Sequence, residues 1–323
     1  MEFIHSVLSQ NLNVQAGGVW SWDLPVNPLS HIYVTFKFKQ NKPDTSIGFW
    51  DILTNITKME VLYKGSAIYS MSGWDAWACA LLICNFEPWA NNWNGDDDDE
   101  LSMTWLIPLG RTLYEPRECF PRSTRGELIL QITLPTTGVR IDTRRMQIET
   151  VELPEAAPEQ FLRMTTLSVT PTVTGELDIE LPIGNPISDV VCFGTTKPSG
   201  SVETPTLLYA QILVDNQRKF YSHVNYETWF NMAGRIHPPA GYWGLHVHRL
   251  DQAAYVQFND TGYTIQRDSV FGWWNLLPFD IFKDGRYTLE TAGKSDVVLR
   301  INAGVADAIR AIPCEIVAAG RGY

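Results

Sequence analysis

The sequence predicts an all-β chain made of two consecutive domains of one architecture. Three observations support this. Runs with a period of two recur along the chain, and Pro and Gly punctuate nearly all of them. One order of motifs is also spelled twice, from "LPVNPLSHIYV" at Leu24 and again from "LPIGNPISDVV" at Leu181.

The clearest alternation is "HIYVTFKFK". Ile32, Val34, Phe36 and Phe38 fall on one face, and His31, Tyr33, Thr35 and Lys37 on the other. Similar strands are expected at Met59–Tyr63, Met103–Ile107, Leu128–Leu134, Met146–Leu153, Leu177–Leu181, Leu208–Val214, Leu245–Leu250, Val297–Ile301 and Ile312–Val317. Trp20 and Trp22 alternate on a further strand. Helical signals are short: Trp74–Phe86 opens at Ser72-Gly73, and Asn225–Ala233 opens at Asn225 with Glu227 in its first turn.

The first half reads LPVNPLS, HIYVTFKF, KMEVLYKGSAIYS, GWDAWACALL, WLIPLGR, ELILQITL and MQIETVEL. The second reads LPIGNPIS, DVVCFG, AQILVDNQRKFYS, NYETWFNMA, LLPFDIF, DVVLRINA and IPCEIVA. The order is the same. Two domains are therefore expected, residues 1–155 and 156–323, joined near Pro154–Pro158 by a segment too short to let them swing freely. About eight strands each, with a helix in an inter-strand loop, suit a jelly roll better than an immunoglobulin sandwich.

Composition narrows the function classes. The chain has 323 residues, 45% of them apolar, enough to bury large cores. A net charge of -11 with no Lys/Arg run argues against direct binding to a nucleic-acid backbone. No secretory signal opens "MEFIHSVLSQNLNVQAGG", and no window supplies the roughly 18 apolar residues of a membrane span. Cys79, Cys84, Cys119, Cys192 and Cys314 are odd in number and irregularly spaced, which reads as buried free thiols in a reducing compartment.

The order of motifs resembles the double jelly-roll major capsid proteins of the lineage that includes adenovirus hexons and the coat proteins of tectiviruses and corticoviruses. The likeness is carried by "KMEVLYKGSAIYSMSGWDAW" and "AQILVDNQRKFYSHVNYETWF", where a turn at Lys64-Gly65 or Asn216-Gln217 precedes a polar strand and an aromatic helix. It is carried equally by "WLIPLGRTLYEPRECFPRSTRGELILQITL" and "LLPFDIFKDGRYTLETAGKSDVVLRINA". It covers about Val14 to Val317 and rests on order and pattern, with no invariant motif. The halves are compact for that family. The insertion Gly234–Val270, which the first half lacks, is the candidate for a modest tower.

The resemblance implies two eight-stranded jelly rolls and a structural role without catalysis, cofactor or metal. It implies a homotrimeric capsomer of pseudo-hexagonal outline in an icosahedral virion, assembled in the host cytoplasm. Its partners are then further copies of itself, neighbouring capsomers, minor capsid and vertex proteins, and an internal membrane, with no direct nucleic acid. Three chains carrying two wedges each would close a six-wedge ring.

Two alternatives stay open. Twelve tryptophans, among them Trp74, Trp77 and Trp229 at helix starts, raise a two-domain carbohydrate-binding protein, although such indoles also fill cores and subunit contacts. Trp89 and Trp93 in "FEPWANNW", and Trp273 and Trp274 in "GWWNLLPF", stand beside turn residues where a monomer would leave some indoles wet. A jelly-roll enzyme of the cupin or glycan-hydrolase kind is the other alternative. His246 and His248 lie two apart on one strand face, as cupin metal ligands do. Asp251 and Gln252 follow where a Glu is wanted, no later His completes the set, and His237 reads as loop surface. The run Asp96–Glu100 could hold a hard cation but lacks EF-hand spacing and reads as a solvated loop. No G-x-S-x-G, H-E-x-x-H or P-loop occurs.

Overall fold

The computed structural model describes residues 2–40, 53–85, 90–91, 100–136, 141–196, 204–229, 232, 258–259, 262–263 and 273–320. Contacts divide the chain into two compact units, one built on Met1–Arg163 and the other on Met164–Gly244 with Ser269–Val317.

In the first unit the strands are β1 (Ile4–Asn13), β2 (Val19–Asp23), β3 (Leu29–Gln40), β4 (Lys58–Tyr63) and β5 (Ser66–Met71). After the helix α1 (Gly73–Cys84) come β6 (Ala90–Asn91), β7 (Glu100–Pro108), β8 (Leu128–Thr133) and β9 (Ile141–Glu152). One sheet runs β1-β9-β3-β7-β6, and a second layer runs β5-β4-β8-β2. Every pairing is antiparallel. This is a jelly roll: the last long strand lies between the first and third, so the β1-β9-β3-β7 sheet does not close until the whole domain has been made.

The strand β10 (Gln160–Thr165) crosses from the first unit into the second. There follow β11 (Leu167–Val169), β12 (Gly175–Glu180), β13 (Ile187–Gly194), β14 (Leu207–Val214), β15 (Gln217–Arg218) and β16 (Val224–Asn225). A two-residue pair, β17 (Phe258–Asn259) with β18 (Gly262–Tyr263), precedes β19 (Trp274–Pro278), β20 (Val297–Ala303) and β21 (Ile309–Ala318). Within this unit the orders are β11-β21-β13-β19 and β12-β20-β14-β15. Strand for strand they repeat β1-β9-β3-β7 and β2-β8-β4-β5. The two halves are jelly rolls of one topology.

The expected alternation fills each core. Ile32, Val34, Phe36 and Phe38 are buried from β3, and Leu128, Leu130 and Ile132 from β8. The second core gathers Ile187, Val190, Ile212, Leu299, Ile301 and Trp229. The helix α1 is capped by Ser72, whose Oγ accepts from the Asp75 amide at 3.1 Å, and ends at Asn85 in the left-handed conformation. It is buried on nearly every side, because Ala, Leu and Trp surround it. Its counterpart begins as helix at residues 226–229, and most of the expected remainder lies outside the described residues.

The duplicated Asn-Pro motif does the same work in both units. Asn27 Nδ2 donates to the Glu152 carboxylate at 2.8 Å, and Asn185 Nδ2 donates to Glu315 at 3.1 Å. The next residue's carbonyl, Pro28 or Pro186, accepts from Leu153 or Ile316, each at 2.8 Å. Leu29 exchanges backbone hydrogen bonds with Phe120, and Ile187 with Leu289. Ser30 and Ser188 carbonyls accept from Leu109 and Phe279 at 3.1 and 2.9 Å. Four consecutive residues thus tie the end of the last strand to the long loop that follows β7 or β19.

Three features differ from the sequence reading. The β14–β15 turn sits on Asp215 and Asn216, both with positive φ, one residue earlier than Asn216-Gln217; its counterpart, Lys64-Gly65, is where expected, with Gly65 at φ +83°. The strands β1, β10 and β11 carry no clean alternation and were not among the expected strands. His31, on the polar face of β3, is fully buried, because Ser30 and the Tyr33 and Tyr114 rings cover it: Ser30 Oγ lies 2.9 Å from Nδ1 and the ring centroids are 4.9 and 5.0 Å away.

The first unit also buries an ion pair. Glu118 accepts from the Arg111 amide at 2.6 Å, from Nε at 2.8 Å and from Nη2 at 2.7 Å, and Gln160 Nε2 adds a fourth bond at 3.0 Å. The loop closes so tightly that a Cβ on Gly110 would stand 2.1 Å from the Glu118 carbonyl oxygen. Burial pushes the Glu118 carboxyl up, but Arg111 outweighs it and holds the group below its ordinary value of 4.5. Its stabilising effect is present above that value and is lost as pH falls through the lowered pKa.

Glu118→Gln is expected to cost about 3–5 kcal/mol in urea unfolding at pH 7, because it leaves the Arg111 charge buried and uncompensated. His31 titrates in a different window. Burial, with a smaller contribution from His5, lowers it from 6.5 to about 4. The unfolded chain therefore takes up a proton that the native state refuses, and stability is lost as pH falls from 6.5 towards 4. The loss is on the order of 3 kcal/mol, and His31→Phe should flatten that part of the pH–stability curve.

Candidate assembly surfaces

Each unit leaves apolar side chains in water. In the first, β1 borders the sheet and pairs only with β9 among the described strands. No residue of it is fully buried, and Phe3, Ile4, Val7 and Leu12 are exposed. Register shifts between Val7 and Ser9 and between Ser9 and Leu12 bend the strand, a common way to keep an open edge from pairing indiscriminately. Polar contacts to β9 hold it on both faces: Ser6 Oγ donates to Glu152 at 2.7 Å, and exposed His5 Nε2 lies 2.5 Å from Glu149. Phe3 packs edge-on against Tyr114 at 5.3 Å.

In the second unit the exposed apolar residues are Val173, Ile183, Phe220, Ile281, Phe282 and Tyr287. Phe220 stands edge-on to buried Phe279 at 5.1 Å, beside the start of the loop that carries the last three. The outer face of β12 and β20 is polar instead. Arg300 makes a two-pronged bond to Asp178 at 2.6 and 2.8 Å, and Tyr209 Oη donates to Glu176 at 2.8 Å. Hydrogen bonding to Asp178 raises the Arg300 pKa further, so this pair stays ionised.

Among the described residues no tryptophan is exposed. Trp77, Trp229 and Trp274 are buried, while Trp20, Trp22, Trp74 and Trp273 are half-buried. Trp274 belongs to β19 rather than to a turn and packs on Phe193 at 4.8 Å. Trp89 and Trp93 lie outside the described residues. The exposed large apolar side chains of the described residues are Phe, Tyr, Ile, Leu and Val, and in the sequence nothing distinguished them from core residues.

His237, His246, His248, Asp251, Gln252 and Asp96–Asp99 also lie outside the described residues, while Glu100 begins β7 with Arg145 3.7 Å away. Among the described residues no three His, Cys, Asp or Glu side chains gather as a metal-ligand set. The five cysteines are free thiols, four of them buried, and burial pushes Cys119 up to about 12. No helix of the described residues is long and apolar enough to cross a membrane.

No protein-family model and no curated protein sequence matches the chain. Solved structures do match it end to end. The major capsid protein of Sulfolobus turreted icosahedral virus superposes with a TM-score of 0.69 at 12% identity, covering 98% of this chain and 97% of that one. The major capsid protein P2 of bacteriophage PM2 gives 0.64 at 9% identity, covering 99% of both. PBCV-1 VP54 gives 0.61 at 11%, covering 100% of this chain and 96% of its own. The chain has the double jelly-roll fold of these viral major capsid proteins.

Proposed function

We propose that the protein is a major capsid protein, forming trimeric, pseudo-hexameric capsomers of an icosahedral virus. The observation that carries this is the duplication itself: two jelly rolls of identical strand order in one chain, matched over nearly full length by capsid proteins. Two similar wedges per chain let three chains form a six-sided block that tiles a hexagonal lattice. The domain limits 1–155 and 156–323 belong to this reading, with each wedge ending just after its Asn-Glu tie.

The protein is then a structural component of the virion, assembled in the host cytoplasm, with no catalytic role. Its partners are its own copies, neighbouring capsomers, minor capsid and vertex proteins and an internal membrane, and its acidic balance disfavours direct contact with the genome. The exposed apolar residues support the reading: Val7 and Leu12 on an open-edge strand cost nothing in a lattice, where a neighbour covers them.

Native mass spectrometry of the purified protein is expected to show a trimer, with a six-sided outline in negative stain. Contacts between trimers should weaken as ionic strength rises, because they are more polar than the contacts within one. A monomer that persists at micromolar concentration would overturn the reading.

A further inference from the structure

The two units carry the same loop, between β7 and β8 and between β19 and β20, fastened at the same two points. Leu109 and Phe279 donate to Ser30 and Ser188 at its start, and Phe120 and Leu289 pair with Leu29 and Ile187 further on. Two residues inside the first fastening stand Arg111 and Ile281. Two residues before the second stand Glu118 and Tyr287.

In the first unit these positions form the buried ion pair, with side chains 2% and 8% exposed. In the second unit the same positions face water, Ile281 and Tyr287 each 53% exposed, with Phe282 between them at 73%. Loss of the inward tie is accompanied by outward apolar side chains. Phe220, 54% exposed, adds a fourth from the neighbouring segment.

The loop is nevertheless well built. The Asp280 carboxylate accepts from the Gly285 amide at 2.8 Å and its carbonyl from the Lys283 amide at 2.9 Å, which fixes the turn with Lys283 at φ 56°. The apolar tip is therefore held outward by design of the backbone rather than left there by slack. Arg218 and Lys219 precede Phe220, and Lys283 and Arg286 follow Phe282, against three exposed acids, Asp284, which pairs with Arg286 at 3.0 Å, Asp215 and Glu290. Exposed cations outnumber exposed acids in these two segments of a chain of net charge -11.

We propose that Phe282, Ile281, Tyr287 and Phe220 form a contact with an anionic lipid bilayer, the apolar tips entering the interface while Arg218, Lys219, Lys283 and Arg286 meet lipid phosphates. Insertion of apolar side chains below a ring of cations is the chemistry of peripheral membrane attachment, and a Tyr at the rim suits the headgroup level. The first unit's loop also exposes cations, Arg117, Arg122 and Arg125, but it has no such apolar tip: Tyr114 is its one exposed large apolar side chain among the described residues, and it is engaged by Phe3 and His31. Each chain then supplies one membrane contact from its second unit only.

This deepens the membrane partnership proposed above and rests on that reading for its setting alone. A trimer that ignores lipid would remove the inference and leave the capsomer standing. The test is flotation of the purified full-length protein with vesicles of phosphatidylcholine, with and without phosphatidylglycerol. Binding is expected only with phosphatidylglycerol and is expected to fall at high salt. Phe282→Asp should weaken it about tenfold or more, and Lys283→Glu by about fivefold or more, while Tyr114→Ser leaves it unchanged. Phe282 and Lys283 are exposed, so substituting them should not move thermal unfolding. Absence of binding to anionic vesicles, or equal binding by Phe282→Asp, overturns the proposal. So does a Phe282→Asp variant that loses self-association while the unaltered protein ignores vesicles, since the surface would then belong to a second copy.

Discussion

Both domains depend on one constraint: the strand made last must enter between the first and third. β9 lies between β1 and β3, and β21 between β11 and β13, so one sheet of each domain stays open until that domain is complete. Such long-range closure brings a large loss of chain entropy before its contacts form. The Asn-Pro motif opposes that loss at one place. It binds the end of the closing strand through a side-chain amide, Asn27 to Glu152 and Asn185 to Glu315, and through the adjoining proline carbonyl. Proline fixes φ there and gives up no needed donor, so the carbonyl is presented without further ordering.

Around that shared frame the two units have diverged. The first spends polar contacts inward, with Arg111 and Glu118 holding one loop and His31 covered beneath Tyr114. The second replaces the inward pair with Ile281 and Tyr287 and turns its loop outward. In the proposed capsomer, duplication would supply the pseudo-repetition, and divergence would let the two kinds of wedge meet different neighbours. A change confined to a loop leaves the closing motif untouched, which is why the strand order survives at both ends of the chain.

Much of this was legible in the sequence. Period-two runs identified β3, β4, β8, β9 and β12, because one face of each is more buried than the other, while β14 and β20 were found as apolar runs with burial on both faces. The repeat was visible because the closing motif needs Asn, Pro and a small polar residue in fixed order. Strands β1 and β11 were missed because a border strand has little buried face to impose a pattern. The exposed surface was the least legible part. Phe282 and Phe279 are the same residue type three positions apart, one in water and one in the core, and only the backbone between them tells which is which. Trp274 misled for the opposite reason: it follows a Gly-Trp turn signal yet opens a fully buried strand.

The duplicated tie is most directly tested by amide hydrogen exchange at Leu153 and Ile316, whose N–H groups donate to Pro28 and Pro186. If each tie closes its own domain, both amides exchange as slowly as the surrounding core, and Asn27→Ala speeds Leu153 while Ile316 stays protected, with Asn185→Ala doing the reverse. Fast exchange at both amides in the unaltered protein, or equal loss at both from either substitution, would contradict the account.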